Sequence, residues 1–425
     1  MESCMDKVAD LLVIGGGAAG MVAAITAARL GVQVRVVERM SRVGKKLLAT
    51  GNGRCNLTNM KLDISRFHGG GVADFARVAL ERFDVKQTLA FFEELGVLTK
   101  EEDAGRLFPI TDQATTILDV LRYEMDRLDV DIVGDANINR VEYKKNLFAC
   151  YTAEGTEFHA KRVLLATGGK SYPNLGSNGG GFKIAAALGH HVVNPWPVIV
   201  QVKLAVPFLK QLDGLQIQAE VSALKNGAIQ QKSRGEALFT DYGLSGDAVL
   251  NVSRVVSESY REGHEANAGK VEIQLDMFPD KSEAEMLDLL LKRFAAQPQK
   301  QLDFAMVGLL HKRLIPVVLK EAGCTDLRVL CGQVDRPCVG KIAAILKRWR
   351  LPAIGTLSWM HAKVTAGGVD LREVNAQTLE SRLVPGLYFA GEVLDVDGDS
   401  GGFNLQWAWS SARLAAQAAA LAQTR

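Results

Sequence analysis

The chain has 425 residues, 48% of them hydrophobic, and a formal net charge of +2. Such a length buries a large core spread over two or three domains, and a charge so close to neutral does not by itself announce a polyanion partner. The apolar stretch 11–30 is interrupted by glycines, and neither a signal-peptide pattern nor an unbroken membrane span is present, so a cytoplasmic protein with no membrane partner is expected.

The first predicted elements carry the strongest signal. Leu11-Leu12-Val13-Ile14 reads as a buried strand, 21–30 as a helix and 32–37 as the next parallel strand. Between the first two stands Gly15-Gly16-Gly17-Ala18-Ala19-Gly20. Gly15 permits the tight turn, Gly17 lets the main chain approach a pyrophosphate, and Gly20 allows close helix packing, while free N–H groups around Ala18 and Ala19 face the phosphates. Glu38, ending the second strand, is placed to accept hydrogen bonds from an adenosine ribose, which suits FAD or NAD and disfavours a 2′-phosphate. The plain alternative, a flexible glycine turn, explains neither the strands nor the acid.

Further along, 75–96 reads as helical, ending at Gly96, and 115–128 as another helix. Strands follow at 131–133, 138–143, 148–152 and 162–166, the last running into Thr167-Gly168-Gly169, a doublet that again suggests close backbone approach to a ligand. After Pro195-Trp196-Pro197 the pattern changes to short alternating runs, so 198–273 is expected to be β-rich. Helices are expected at 282–295, 304–310, 314–322 and 340–349, with Pro352 breaking the chain. Buried-strand patterns resume at 363–369 and at Leu387-Tyr388-Phe389-Ala390-Gly391-Glu392, and 403–422 reads as a closing helix.

The six cysteines, Cys4, Cys55, Cys150, Cys324, Cys331 and Cys338, include no CxxC, so neither a zinc ribbon nor a redox pair of that type is indicated. Cys324, Cys331 and Cys338 recur every seven residues, but the intervening segments look apolar and strand-like, and buried reduced thiols are expected there. Basic clusters stand at 39–46 and at Lys347-Arg348-Trp349-Arg350; the first fits a phosphate site, the second a solvated face or an RNA contact.

Three long segments are distinctive: 44–59, from Gly44-Lys45-Lys46 through Gly53-Arg54-Cys55-Asn56 to Asn59; 363–369, Lys363-Val364-Thr365-Ala366-Gly367-Gly368-Val369; and 386–409, through Gly391-Glu392 and Gly401-Gly402-Phe403-Asn404 to Trp409. Through them the chain resembles, over nearly its whole length, the YhiN-like or BaiN-like bacterial flavoproteins, often labelled aminoacetone oxidase family FAD-binding enzymes. The resemblance implies an α/β fold: a Rossmann-like FAD domain built from 1–194 and 346–425, with an inserted lid over one side of the flavin, β-barrel-like at 195–275 and helical at 276–345. It also implies FAD, not NAD, at the fingerprint. The loop 44–59, with Lys45, Lys46 and Arg54, suits a path past pyrophosphate and isoalloxazine, together with Arg39, Gly53 and Asn56. Cys55 stands in that loop either as a redox-active or acidic thiol or as a packing and flavin-contact residue.

Bottom-up chemistry agrees with this assignment. Glu392 is placed to hold ribityl hydroxyls, and the helix that starts after Gly402 with Phe403 presents its positive end to the flavin pyrimidine, where reduction builds negative charge. Asn404 is the favoured flavin-edge amide, whereas Trp407 and Trp409 read as core. Gly176–Gly181 resembles the family's flavin-side loop and is not a second nucleotide fingerprint, so NAD(P)H is expected only as a transient donor.

The resemblance points to reduction of carbon–carbon double bonds, with a uridine of ribosomal RNA as leading substrate and a small conjugated enone as the other. Both need hydride delivery, a stabilised carbonyl oxygen and a proton. Within 235–246, Tyr242 or Ser245 is the candidate donor. Asp241 stands where many relatives have histidine, and takes over only if burial keeps its carboxyl protonated; the other departures are Asp247 for proline, Gly180 for aspartate and Phe403 for tyrosine. His361 is a further donor candidate. An amine oxidase and a non-catalytic, FAD-stabilised RNA-binding protein are the remaining readings.

Overall fold

The computed structural model describes residues 8–261 and 270–422. The chain folds as two compact units, Met1–Pro197 with Trp359–Arg425, and Val198–Ser358.

In the first unit, strand Ala9–Ile14 lies at the middle of a seven-stranded sheet and pairs in parallel with Val34–Val37 on one side and Glu157–Leu165 on the other. Asp131–Val133 adds a parallel strand beyond Val34–Val37, and Leu387–Phe389 pairs in parallel with the end of Glu157–Leu165. An antiparallel meander of Ile138–Lys144 and Leu147–Thr152 completes the sheet. The central strands are continuous apolar runs because both faces are covered. Helix Ala18–Arg29 packs against the closing helix Phe403–Leu421, and both are alanine-rich, which allows the close approach.

Helix formation departs from expectation at 75–96. The segment splits into Val72–Arg82 and Val85–Glu94, because Asp84 starts a new helix with a reciprocal capping box to Gln87.

The second unit is a closed six-stranded barrel, in the order Val202–Leu204, Gly243–Ser245, Ala228–Thr240, Gln216–Lys225, Val271–Asp276 and Trp349–Thr356. The strand Trp349–Thr356 closes it, so the return to the first unit falls at Trp359 and not at 346. Pro352 does not break this strand: it stands opposite Glu272 in the last registered pair of that ladder, where its missing N–H interrupts nothing that continues, and its carbonyl accepts from Ala205 N at 3.0 Å. The stretch expected to be β-rich also contains a helix, Asp247–Ser259, whose Ala248, Val249, Val252 and Val256 are buried at helical spacing. Helices Glu283–Ala296, Ile315–Glu321 and Arg336–Arg348 follow, and the helix expected at 304–310 is reduced to Leu302–Ala305. No described helix is long and apolar enough to cross a membrane.

Candidate FAD site

The turn after the first strand is built by its glycines. A Cβ on Gly20 would stand 1.8 Å from the Gly15 carbonyl oxygen, so only glycine lets the helix begin there. Gly17 is the opposite case, with nothing within 4 Å of its would-be Cβ, so the space before the helix is open. No side chain caps helix Ala18–Arg29, whose first-turn N–H groups at Ala18 and Ala19 are therefore presented to that space without an acidic competitor.

Glu38 is buried and braces the turn: Oε2 accepts from Gly16 N at 2.7 Å and Oε1 from Met40 N at 2.8 Å. A carboxylate oxygen takes more than one hydrogen bond, so ribose hydroxyls still fit there. Beside it Arg39 donates Nη1 to the Gly176 carbonyl at 3.3 Å, while its buried Nε has no partner among the described residues. Lys45 is half-buried and makes no ion pair among them. Arg39 and Lys45 are thus the cations left for an anion.

Lys46 is committed elsewhere. Its Nζ reaches Glu392 Oε2 and Ser171 Oγ, both at 2.7 Å. Glu392 is the hub of this cluster, accepting also from Thr365 N at 2.6 Å, Ser171 Oγ at 3.2 Å and Gly169 N at 3.3 Å. Its carboxylate ties the Thr167-Gly168-Gly169 loop to the strand Val364–Val369 and to the lysine loop, so it positions the cradle before it holds any ribityl hydroxyl. Sequence reasoning missed Ser171 and Thr365, which complete the cluster.

Arg54 is likewise engaged by carboxylates. Its guanidinium binds Glu102 and, at 2.6 Å, Asp112, and lies 4.1 Å from the centre of the Phe108 ring. These carboxylates raise the arginine's proton affinity, Glu102 most, and pin the 44–59 loop to the hairpin of Thr99–Glu102 and Arg106–Pro109. Gly53 beside it is exposed, with open space at its Cβ.

Cys55 is fully buried, and burial pushes its thiol up to about 12. That corrects the redox reading: an acidic, accessible thiolate requires the reverse environment, and Cys55 is a packing residue. Asn56 is more informative, because its Oδ1 is buried without a partner among the described residues and lies 3.0 Å from the position of a Cβ on Gly402.

At the closing helix Gly402 has φ +101 and no side chain caps the N-terminus. The next two side chains are engaged within the protein. Phe403 is buried and packs edge-on against Phe67, with centroids 6.1 Å apart, so only its backbone remains for a cofactor. Asn404 spends its amide on the loop before the helix, accepting from Gly398 N at 2.8 Å and donating to the Gly398 carbonyl at 2.7 Å. Asn56 replaces it as the available amide. Trp407 and Trp409 are core residues, their indole N–H groups donating to the Gly391 and Leu57 carbonyls. Gln406, also missed, is fully buried and joins Thr58 Oγ1 at 2.5 Å to Phe83 O, Thr88 Oγ1 and Ser410 Oγ.

An uncapped helix start, two cations, an open approach at Gly17 and an orphaned amide oxygen fit a flavin dinucleotide. Arg39, Lys45 and the N–H groups of Ala18 and Ala19 would hold its pyrophosphate, Glu38 its ribose.

In the second unit Asp241 and Tyr242 form the turn between Ala228–Thr240 and Gly243–Ser245, so the three proton-donor candidates share one hairpin. Asp241 is solvent-exposed and lacks the burial that its role as an acid demands. Tyr242 is partly buried, which pushes its phenol up, with a hydrogen bond to Thr240 opposing. His361 is exposed in the first unit. The basic run 347–350 is neutralised: Lys347 pairs with Asp276 at 2.7 Å, Arg348 with Glu283 at 2.8 Å and Arg350 faces Glu272 at 4.0 Å, while Trp349 is fully buried.

The fold and the glycine turn define a Rossmann-type nucleotide-binding flavoprotein. Residues 9–418 match the family described as HI0933-like protein Rossmann domain, and the chain belongs to this family of FAD-dependent oxidoreductases. Among its relatives are a 3-dehydro-bile acid delta(4,6)-reductase of Clostridium scindens, 37% identical with 96% of this chain and 98% of that protein covered. The ribosomal RNA dihydrouridine synthase of Escherichia coli is 32% identical, with 96% of this chain and 97% of that protein covered. That of Haemophilus influenzae is 30% identical, with 96% and 98% covered. The fold is shared with a solved 3-ketosteroid-delta4-(5alpha)-dehydrogenase of Rhodococcus jostii, at a TM-score of 0.50 and 16% identity over 99% of this chain and 98% of that one.

Proposed function

We propose that the protein reduces a conjugated carbon–carbon double bond, with a uridine of ribosomal RNA as the substrate to test first. The observation that carries the reading is near full-length likeness to relatives whose names share one chemistry: dihydrouridine is uridine with its ring double bond saturated, and the bile acid relative is itself named a reductase. Bound FAD supplies the hydride donor for such a step. The chain's own part is to hold that group through Glu38, Arg39 and Lys45, to offer a positive helix end behind Gly402, and to deliver a proton, for which Tyr242 and Ser245 are the candidates. NAD(P)H, bound transiently, is the proposed source of electrons.

A small conjugated enone is the second reading. It is favoured by the higher identity of the bile acid relative and by the neutralised run at 347–350. Mass spectrometry of ribosomal RNA from a deletion strain decides between them. Dihydrouridine lost in the mutant, restored by the wild-type gene and not by Gly17→Asp, supports the RNA substrate. Unchanged RNA removes it.

A further inference from the structure

The three cysteines at seven-residue intervals are not in strands. Cys324 follows helix Ile315–Glu321, Cys331 opens a short 3-10 turn, Cys331–Gln333, and Cys338 lies in the first turn of Arg336–Arg348. The intervening chain folds back on itself, held by Cys331 N to the Lys300 carbonyl and Gly332 N to the Pro298 carbonyl, both at 2.9 Å, and by Cys338 N to Asp335 Oδ1 at 2.8 Å. That path brings Cys324 Sγ to 3.1 Å from Cys338 Sγ. Both cysteines are free thiols, Cys324 buried and Cys338 partly exposed. Among the described residues no group of three or more cysteine, histidine or acidic side chains is placed to hold a metal.

We infer that Cys324 and Cys338 form a reversible disulfide, closed by exchange with a low-molecular-weight disulfide such as oxidised glutathione. Sulfurs 3.1 Å apart need approach by only about 1 Å more to reach bonding distance, within the reach of small side-chain rotations. The accessible Cys338 acts first: its thiol releases a proton to solvent, its sulfur bonds to one glutathione sulfur and the other glutathione leaves, taking up a proton. Cys324 then gives up its proton, attacks the Cys338 sulfur and expels the second glutathione, which is protonated in turn. One disulfide is reduced to two thiols while two protein thiols are oxidised to one disulfide, so atoms and electrons balance. Closure fixes the segment 325–337 between the two helices, a covalent switch in the barrel unit that does not depend on the substrate assigned above. Burial raises the Cys324 thiol to about 12, which makes the second step the slower one.

The test is intact mass after treating the native, reduced full-length protein with oxidised glutathione and then blocking remaining thiols with an alkylating agent. Cleavage before aspartate puts the three cysteines on separate peptides, because Asp326 and Asp335 lie between them. The expected product is a Cys324–Cys338 cross-linked peptide pair, with two fewer alkylations per chain and full reversal by a dithiol. In Cys324→Ser a glutathione adduct on Cys338 should accumulate instead. A persistent adduct on Cys338 in the wild-type protein, a cross-link involving another cysteine, or complete alkylation of both thiols overturns the inference.

Discussion

Replacing Glu392 by glutamine separates a cofactor ligand from a residue that builds the cradle. The carboxylate takes hydrogen bonds from Lys46 Nζ, Thr365 N, Ser171 Oγ and Gly169 N, at 2.7, 2.6, 3.2 and 3.3 Å. An amide of the same shape turns one acceptor into a donor, so either the Thr365 and Ser171 side or the Lys46 and Gly169 side faces an N–H group. The lysine also loses its counter-charge. The ion pair is about one-fifth exposed, so solvent screens part of the loss. Two disappointed donors and a weakened charge-assisted bond together cost roughly 2–3 kcal/mol. On a unit of this size that lowers the melting temperature by roughly 4–6 °C. Calorimetry of flavin-stripped protein should show that loss in the Glu392→Gln variant before any FAD is added. If the melting temperature of the stripped variant is unchanged while FAD binding weakens, Glu392 acts by touching the ribityl chain and the cradle argument is refuted.

Further outcomes follow from other sites. Gly20→Ala should yield little folded protein, read by expression and circular dichroism, because the added carbon collides with the Gly15 carbonyl. Gln406→Leu should cost roughly 2–3 kcal/mol in denaturant unfolding, since it orphans the buried Thr58 hydroxyl and removes the donor to Thr88 Oγ1, while the Phe83 carbonyl keeps its bond from Ser410 Oγ. Cys55 should resist a thiol reagent in native protein and react fully on unfolding. With Cys55 and Cys150 raised to about 12, the folded state keeps protons that the unfolded chain gives up. Their contribution to stability is thus intact below about pH 8.5 and lost as pH climbs towards 12. The Arg372 guanidinium holds Asp370 far below the usual carboxylate range, so that contribution is present at neutral pH and lost as pH falls through the acid range. Asp370→Asn should flatten the acid limb of the stability curve.

The glycine turn and the placement of Glu38 beside it were legible in the sequence because local geometry dictates residue type there: no other side chain fits Gly20, and the acid that ends the second strand lies within reach of the Gly16 and Met40 N–H groups. Helix Asp247–Ser259 was lost among alternating neighbours because its valines also satisfy a short-strand pattern. The Glu392 cluster was illegible because Lys46, Ser171 and Thr365 are brought to it from distant parts of the chain, and no local rule links them. The same holds for Cys324 and Cys338: their spacing is visible, but the fold-back that joins them is made by hydrogen bonds to Pro298 and Lys300. Arg54 and Lys46 show the converse. Their motif drew attention correctly, yet nearby carboxylates had already claimed their charges.

Flavin content tests the central claim most directly. Purified protein, or apoprotein titrated with FAD and followed by absorption and fluorescence, should take up one flavin per chain, and the Gly17→Asp variant, which sets a carboxylate in the open space before the first helix, should take up none. Folded wild-type protein that stays colourless and leaves added FAD free in solution would contradict the account.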